Sequence, residues 1–139
     1  MKKFFLLSFL PTSADLGLLV LRVGLGTLML VLHGWAKLSK FSTLIDTFPD
    51  PLGISHRASY LLAMGGEVLG STLLILGLAT RFAAVWLATI MTVAFITAHG
   101  MALSGPRSGE LAVVYGVGFI TLLMAGAGRY SVDAKIGGR

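Results

Sequence analysis

Six ionisable side chains sit inside or at the edges of long apolar runs: Arg22, His33, Lys37, Glu67, His99 and Glu110. A charge in a hydrocarbon slab costs several kcal/mol, on the order of 3, unless it is paired or hydrated. The six must therefore be paired, hydrated or used. Two imidazoles and a carboxylate are groups that can move protons near neutral pH. His33, His99 and Glu110 are accordingly the candidates for proton handling. Arg22, Lys37, Glu67 and Tyr115 are candidates for binding a ligand. The spacing along the first run supports a shared face. A helix turns about 100° per residue, which leaves Arg22 and His33 within about 20° of each other and Lys37 about 60° from Arg22. Such a stripe should point into a bundle and away from lipid.

The elements that must position these groups are four apolar helices. The spans are predicted near 15–37, 58–79, 82–102 and 110–127, each close to the roughly 20 residues needed to cross a bilayer. The runs are continuously apolar and do not alternate, so helices are expected and barrel strands are not. The fold class is all-α, an integral membrane four-helix bundle with antiparallel neighbours, preceded by a lead-in over 1–14. Thr80 and Arg81 are read as the tight turn between spans two and three. The loop from Ser39 to Gly53 is irregular with room for a short interfacial helix. Basic residues flank the spans, with Lys2, Lys3, Arg81, Arg129, Lys135 and Arg139 on one side and Lys37, Lys40, Arg57 and Arg107 on the other. That excess favours cytoplasmic termini. Trp86 and Tyr130 would mark the inner aromatic belt, and Trp35 and Tyr60 the outer one.

Depth along the helices gives expected partners. Arg22 lies about 10 Å into span one, and Glu67 lies about 14 Å into span two from the opposite surface. In a ~30 Å core these depths differ by roughly 6 Å, which predicts a buried Arg22–Glu67 ion pair. Above it an outer vestibule would hold His33, Lys37, His99 and Glu110. Each group also has a plainer reading. Arg22–Glu67 could be a helix clamp, Lys37 and Arg81 snorkelling anchors, and Glu110 a partner for the helix dipole. Gly24, Gly26, Gly66 and Gly70 read as close-packing surfaces.

Composition excludes several classes. Of the 139 residues, 55% are hydrophobic and 12% charged, about half the charge of a soluble domain. The net charge of +5 sits at span ends and forms no basic stripe with interleaved aromatics, which argues against nucleic acid as a partner. There is no cysteine, so thiolate zinc, cysteine-ligated iron–sulfur clusters and a dithiol site are excluded.

The residues resemble the DoxX family of small four-helix membrane proteins. Span one reads LRVGLGTLMLVLHGWAKL, which matches the family at Arg22, Gly24, Gly26, His33, Gly34 and Lys37. Span two supplies Glu67, Gly70, Gly77 and Arg81, and ITAHG supplies His99 and Gly100. The last segment supplies Glu110, Arg129, Ser131 and Asp133. The resemblance implies a bacterial-type inner-membrane protein associated with redox systems that handle quinones or small sulfur and thiol compounds.

Three readings follow. In the first, the chain is a subunit or accessory of a membrane redox system. A quinone headgroup or small sulfur substrate enters the vestibule, and electrons come from a redox-protein partner or the substrate. In the second, it is a non-enzymatic binding or assembly factor that docks a partner transmembrane helix, or a second copy, on the glycine surfaces. Haem or metal ligation by His33 and His99 is the weakest of the three, because the spacing is unspecific.

Overall fold

The computed structural model describes Phe5, Leu7 and residues 11–137. The lead-in to residue 10 and the basic residues Lys2, Lys3 and Arg139 lie outside the described residues, apart from Phe5 and Leu7. Among those described, all secondary structure is helical. Three helices are long and apolar enough to cross a membrane: α1 (Ala14–Ser39), α3 (His56–Leu76) and α4 (Thr80–Thr97). A shorter apolar helix, α5 (Glu110–Ala125), follows. Two small helices lie between and after these, α2 (Phe41–Leu44) and α6 (Val132–Ile136).

Local chemistry sets the ends. The Ser13 hydroxyl caps α1 by accepting from the Leu16 N–H at 3.2 Å, and Asp15 complements the helix dipole in the first turn. Helix α3 stops at Gly77, whose φ of +68° is left-handed, a conformation that glycine adopts without a Cβ clash. Thr80 and Arg81 are therefore not the turn. The turn is Gly77–Ala79, and Thr80 already opens α4. Helix α4 ends at Thr97, earlier than the sequence predicts, because Gly100 and Met101 both take positive φ.

The buried core joins all four apolar helices. Met29 of α1 and Leu74 of α3 meet Ala83, Ala84, Leu87, Ala88 and Met91 of α4 and Ala112, Tyr115, Phe119 and Leu122 of α5. The small side chains on one face of α4 let α5 approach closely. In lipid this close packing matters more than hydrophobic burial, since hydrocarbon surrounds the helices anyway. The outer surface is apolar as well: Val20 is 71% exposed, Leu111 67% and Met124 80%. Surface of that kind on every long helix belongs against acyl chains and not water.

Close packing depends on glycine at particular places. A Cβ on Gly26 would stand 2.9 Å from the Ile75 side chain and 3.0 Å from the Ser71 carbonyl oxygen. On Gly66 it would meet Ile90 and Trp86, and on Gly70 Leu87. Gly24 has nothing within 4 Å and is not a packing surface.

Candidate functional site

The site forms where α1 and α3 both depart from α-helical geometry. Leu30–Gly34 in α1 and Gly66–Gly70 in α3 are single π-helical turns. Such turns are rare and are frequent at functional sites. One carries His33 and the other Glu67. They touch at Gly34, where a Cβ would stand 2.9 Å from the Glu67 carbonyl oxygen. Glycine at 34 lets the two backbones meet.

That register decides the ion pairing. Glu67 is 4% exposed, and its carboxylate accepts both charge-assisted bonds from Lys37 Nζ, at 2.8 Å and 2.7 Å. Lys37 is no snorkelling anchor: its side chain is 19% exposed and ends in this pair. The Tyr60 hydroxyl donates to the Lys37 carbonyl at 2.6 Å. Tyr60 is fully buried and so does not belong to an aromatic belt.

Beside the pair lies a cavity of about 480 Å³, within the usual range for small-molecule sites of roughly 300–1,000 Å³. His33, Lys37, Glu67, His99 and Tyr115 are among its polar groups, and Leu62, Trp86, Ile90, Met91 and Ala112 among its apolar walls. Trp86 is thus a cavity wall and not only an interfacial residue. The His33 and Tyr115 rings meet edge to face, 5.9 Å between centroids. Tyr115 is 7% exposed. Among the described residues, neither its hydroxyl nor the His33 ring nitrogens have a hydrogen-bond partner. His99 Nδ1 lies 3.1 Å from the Arg107 carbonyl oxygen. A carbonyl can only accept, so Nδ1 carries the proton and Nε2 is left to accept one. Glu110 is exposed at the start of α5 and does not line the cavity, which leaves it the dipole role.

Arg22 does not pair with Glu67. Its Nη1 donates to the carbonyls of Leu74 at 3.0 Å and Ile75 at 2.7 Å, and its Nη2 donates to that of Tyr130. The Leu74 and Ile75 carbonyls both lie in the last turn of α3, where helical partners run out; that of Leu74 also accepts from the Gly77 N–H at 3.1 Å. Around this guanidinium the chain ties a polar knot. Asp133 accepts from the N–H groups of Ala79 at 2.7 Å and Thr80 at 2.9 Å, which caps the start of α4. Its own N–H donates to the Gly77 carbonyl at 2.8 Å. The Asp15 carboxylate accepts from the Arg129 N–H at 2.9 Å. The segment after α5 thus fastens α1, α3 and α4 together. Sequence reasoning missed Asp133 as the capping group; its signal was an acid following two glycines and a serine in a polar tail.

Asp133 gives this end a pH dependence. Burial pushes its carboxyl up, but the Thr80 and Ala79 N–H groups and the nearby Arg22 charge outweigh that and hold it below the usual carboxylate range. A lowered folded-state value adds stability that is complete above the unfolded value and fades as pH falls through the folded one. The parent should therefore lose thermal stability as pH drops below about 4. Asp133→Asn should melt lower at neutral pH and lose less on acidification. Equal acid sensitivity in both proteins would remove Asp133 from the account.

The apolar exterior, the buried ion pair and the helix lengths define an integral, polytopic helical membrane protein. The DoxX family profile matches residues 17–100, which takes in most of α1, all of α3 and α4, and His33, Lys37, Glu67 and His99. The chain belongs to the DoxX family. Two relatives from Haemophilus influenzae, each called an uncharacterized protein, are similar. One is 34% identical over 110 residues, 76% of this chain and 72% of the relative. The other is 34% identical over 112 residues, 77% of this chain and 81% of the relative. No solved structure matches.

Proposed function

We propose that this protein is a ligand-binding accessory of a membrane redox system, and that the cavity beside Lys37–Glu67 takes a quinone-type headgroup. The reading places four antiparallel spans in a bacterial-type inner membrane with both termini cytoplasmic, in keeping with the basic residues at Arg81, Arg129 and Lys135. The observation that carries it is the pair of unpartnered polar groups, His33 and Tyr115, in a cavity whose walls are mostly apolar. A hydroxyl that opens into the cavity without a protein partner is free to donate, and a ligand that accepts from it gains the net worth of a hydrogen bond, about 0.5–1.5 kcal/mol. A quinone has a flat apolar ring and two carbonyl acceptors, which suits donation from Tyr115 Oη and a His33 ring N–H, while the free Nε2 of His99, an acceptor in this tautomer, would meet a hydroxyl of the reduced quinol. Full reduction of a quinone takes two electrons and two protons. His33 and His99 would deliver protons, and a redox-protein partner would deliver electrons. A small sulfur oxyanion fits less well, because the cavity's ammonium is already neutralised by Glu67. The apolar tail of a lipid quinone could leave past Leu62, which is 49% exposed.

Docking of a foreign helix on Gly66 and Gly70 has less support, since Trp86, Ile90 and Leu87 of the same chain already cover both.

Trp86 provides the assay. Trp35→Phe removes the only other tryptophan, one that is 65% exposed. A short-tailed benzoquinone titrated into that protein in nanodiscs should quench Trp86 saturably. Tyr115→Phe and His33→Ala should each weaken binding about three- to tenfold, the worth of one hydrogen bond, while the melting temperature stays near the parent's. Unsaturable quenching that is identical in all three proteins would end the quinone assignment.

A further inference from the structure

We propose that the cleft at the opposite end of the molecule, around the Arg22 knot, is a headgroup site for an ethanolamine phospholipid. The cleft holds about 700 Å³ and is lined by Asp15, Leu18, Arg81, Phe82, Arg129 and Asp133, among others. It lies where α1 and α4 begin and α5 ends, at the level where a bilayer meets water.

The charges in this cleft are unequally committed. Asp133 is spent, with each oxygen holding a backbone N–H. Asp15 uses one oxygen for the Arg129 N–H and keeps the other. Arg81 uses only Nε, which donates to the Leu123 carbonyl at 3.0 Å. That bond fixes the plane of the guanidinium and leaves both Nη groups without acceptors among the described residues. The Arg129 guanidinium rests 5.1 Å from the Tyr130 ring centroid and also has no acceptor there. Two oriented guanidinium groups and half a carboxylate are left facing one polar cleft.

That remainder matches a ligand with a phosphate and, a few ångströms away, a primary ammonium. Guanidinium is well suited to phosphate oxygens, which it can take two at a time. The free Asp15 oxygen can accept from an ammonium N–H. A choline headgroup offers no N–H, and a glycerol headgroup offers no cation. Phe82, beside Arg81 and 59% exposed, gives an acyl chain a surface to lie on. The source of the phosphoethanolamine group is therefore a membrane lipid and not a soluble phosphoester.

Native mass spectrometry can test this. The full chain, released from mild detergent, is equilibrated with equimolar phosphatidylethanolamine, phosphatidylcholine and phosphatidylglycerol of matched acyl chains. The ethanolamine lipid should be retained about fivefold or more over each of the others, as expected for one added charge-assisted hydrogen bond. Asp15→Asn keeps an oxygen for Arg129 but loses the charge, and should reduce ethanolamine retention to the choline level. Arg81→Gln should lower retention of all three lipids. Should Asp15→Asn fail to fold, Arg81→Gln and the parental preference carry the test. Equal retention of the three lipids, or a preference for phosphatidylglycerol, would overturn the proposal. Displacement of the lipid by equimolar soluble glycerophosphoethanolamine would overturn the assignment to a lipid.

Discussion

Lys37→Met should destabilise the protein by about 3–5 kcal/mol, the usual loss when one partner of a buried pair is removed. Glu67 would be left almost fully buried, with its two Lys37 bonds gone. It must then either stay charged in a poor dielectric or take up a proton. Glu67→Gln should also be harmful, since it strands the ammonium. The double variant Lys37→Met/Glu67→Gln should recover much of the loss, because nothing charged is then left unpaired. A double-mutant cycle by chemical unfolding in mixed micelles reads the coupling directly. The same cycle on Arg22→Met and Glu67→Gln should be additive. Arg22 and Gly34, the residue that touches Glu67, are twelve positions apart on α1, about 18 Å along a helix. Coupling between Arg22 and Glu67, with none between Lys37 and Glu67, would contradict the arrangement.

Gly77→Ala should be the most damaging single-methyl change in the chain. Its φ is +68°, and a Cβ there would stand 2.6 Å from Ser131 Cβ, 2.8 Å from Arg22 Nη1 and 2.9 Å from Arg22 Cζ. The left-handed backbone alone costs an alanine roughly 1–2 kcal/mol. The added atom also displaces the guanidinium from carbonyls at the end of α3 and loosens Ser131, so that the total should reach about 3–5 kcal/mol. Gly24→Ala is the control. It sits in a helix with open space around it and should be neutral or stabilising by up to about 1 kcal/mol. Thermal melts of the two variants in the same detergent make the comparison. If Gly77→Ala melted with Gly24→Ala, the Arg22 knot would contribute nothing to stability.

The partner exchange shows where depth counting breaks down. Pairing Arg22 with Glu67 by depth takes the predicted starts of spans one and two to lie at opposite membrane surfaces. Packing does not respect those surfaces. Gly34 lies against Glu67, and Gly26 against Ser71 and Ile75, because only glycine lets the backbones close. Those contacts slide α3 along α1 until Glu67 falls to Lys37 and Arg22 falls to the end of α3. The two π turns add to the effect, as each shifts the residues after it around the helix axis, and no residue pattern in these runs announces them.

The sequence by itself determined the solvent and the list of polar actors. Long apolar runs and scarce charge admit only helices that satisfy their own backbone groups in lipid, and any ionisable residue within them had to find a partner or a task. His33, Lys37, Glu67, His99 and Tyr115 were all legible on that basis. Which of them meet was decided by the tertiary structure alone. Pairing depends on register, register depends on where glycines permit contact, and the cap from Asp133 to α4 spans more than fifty residues. Glu110 illustrates the difference: its residue type and depth suited the cavity, and Ser108, Leu111 and Ala112 beside it do line that cavity, yet Glu110 itself is exposed outside the lining, and a one-dimensional sequence holds no record of that direction.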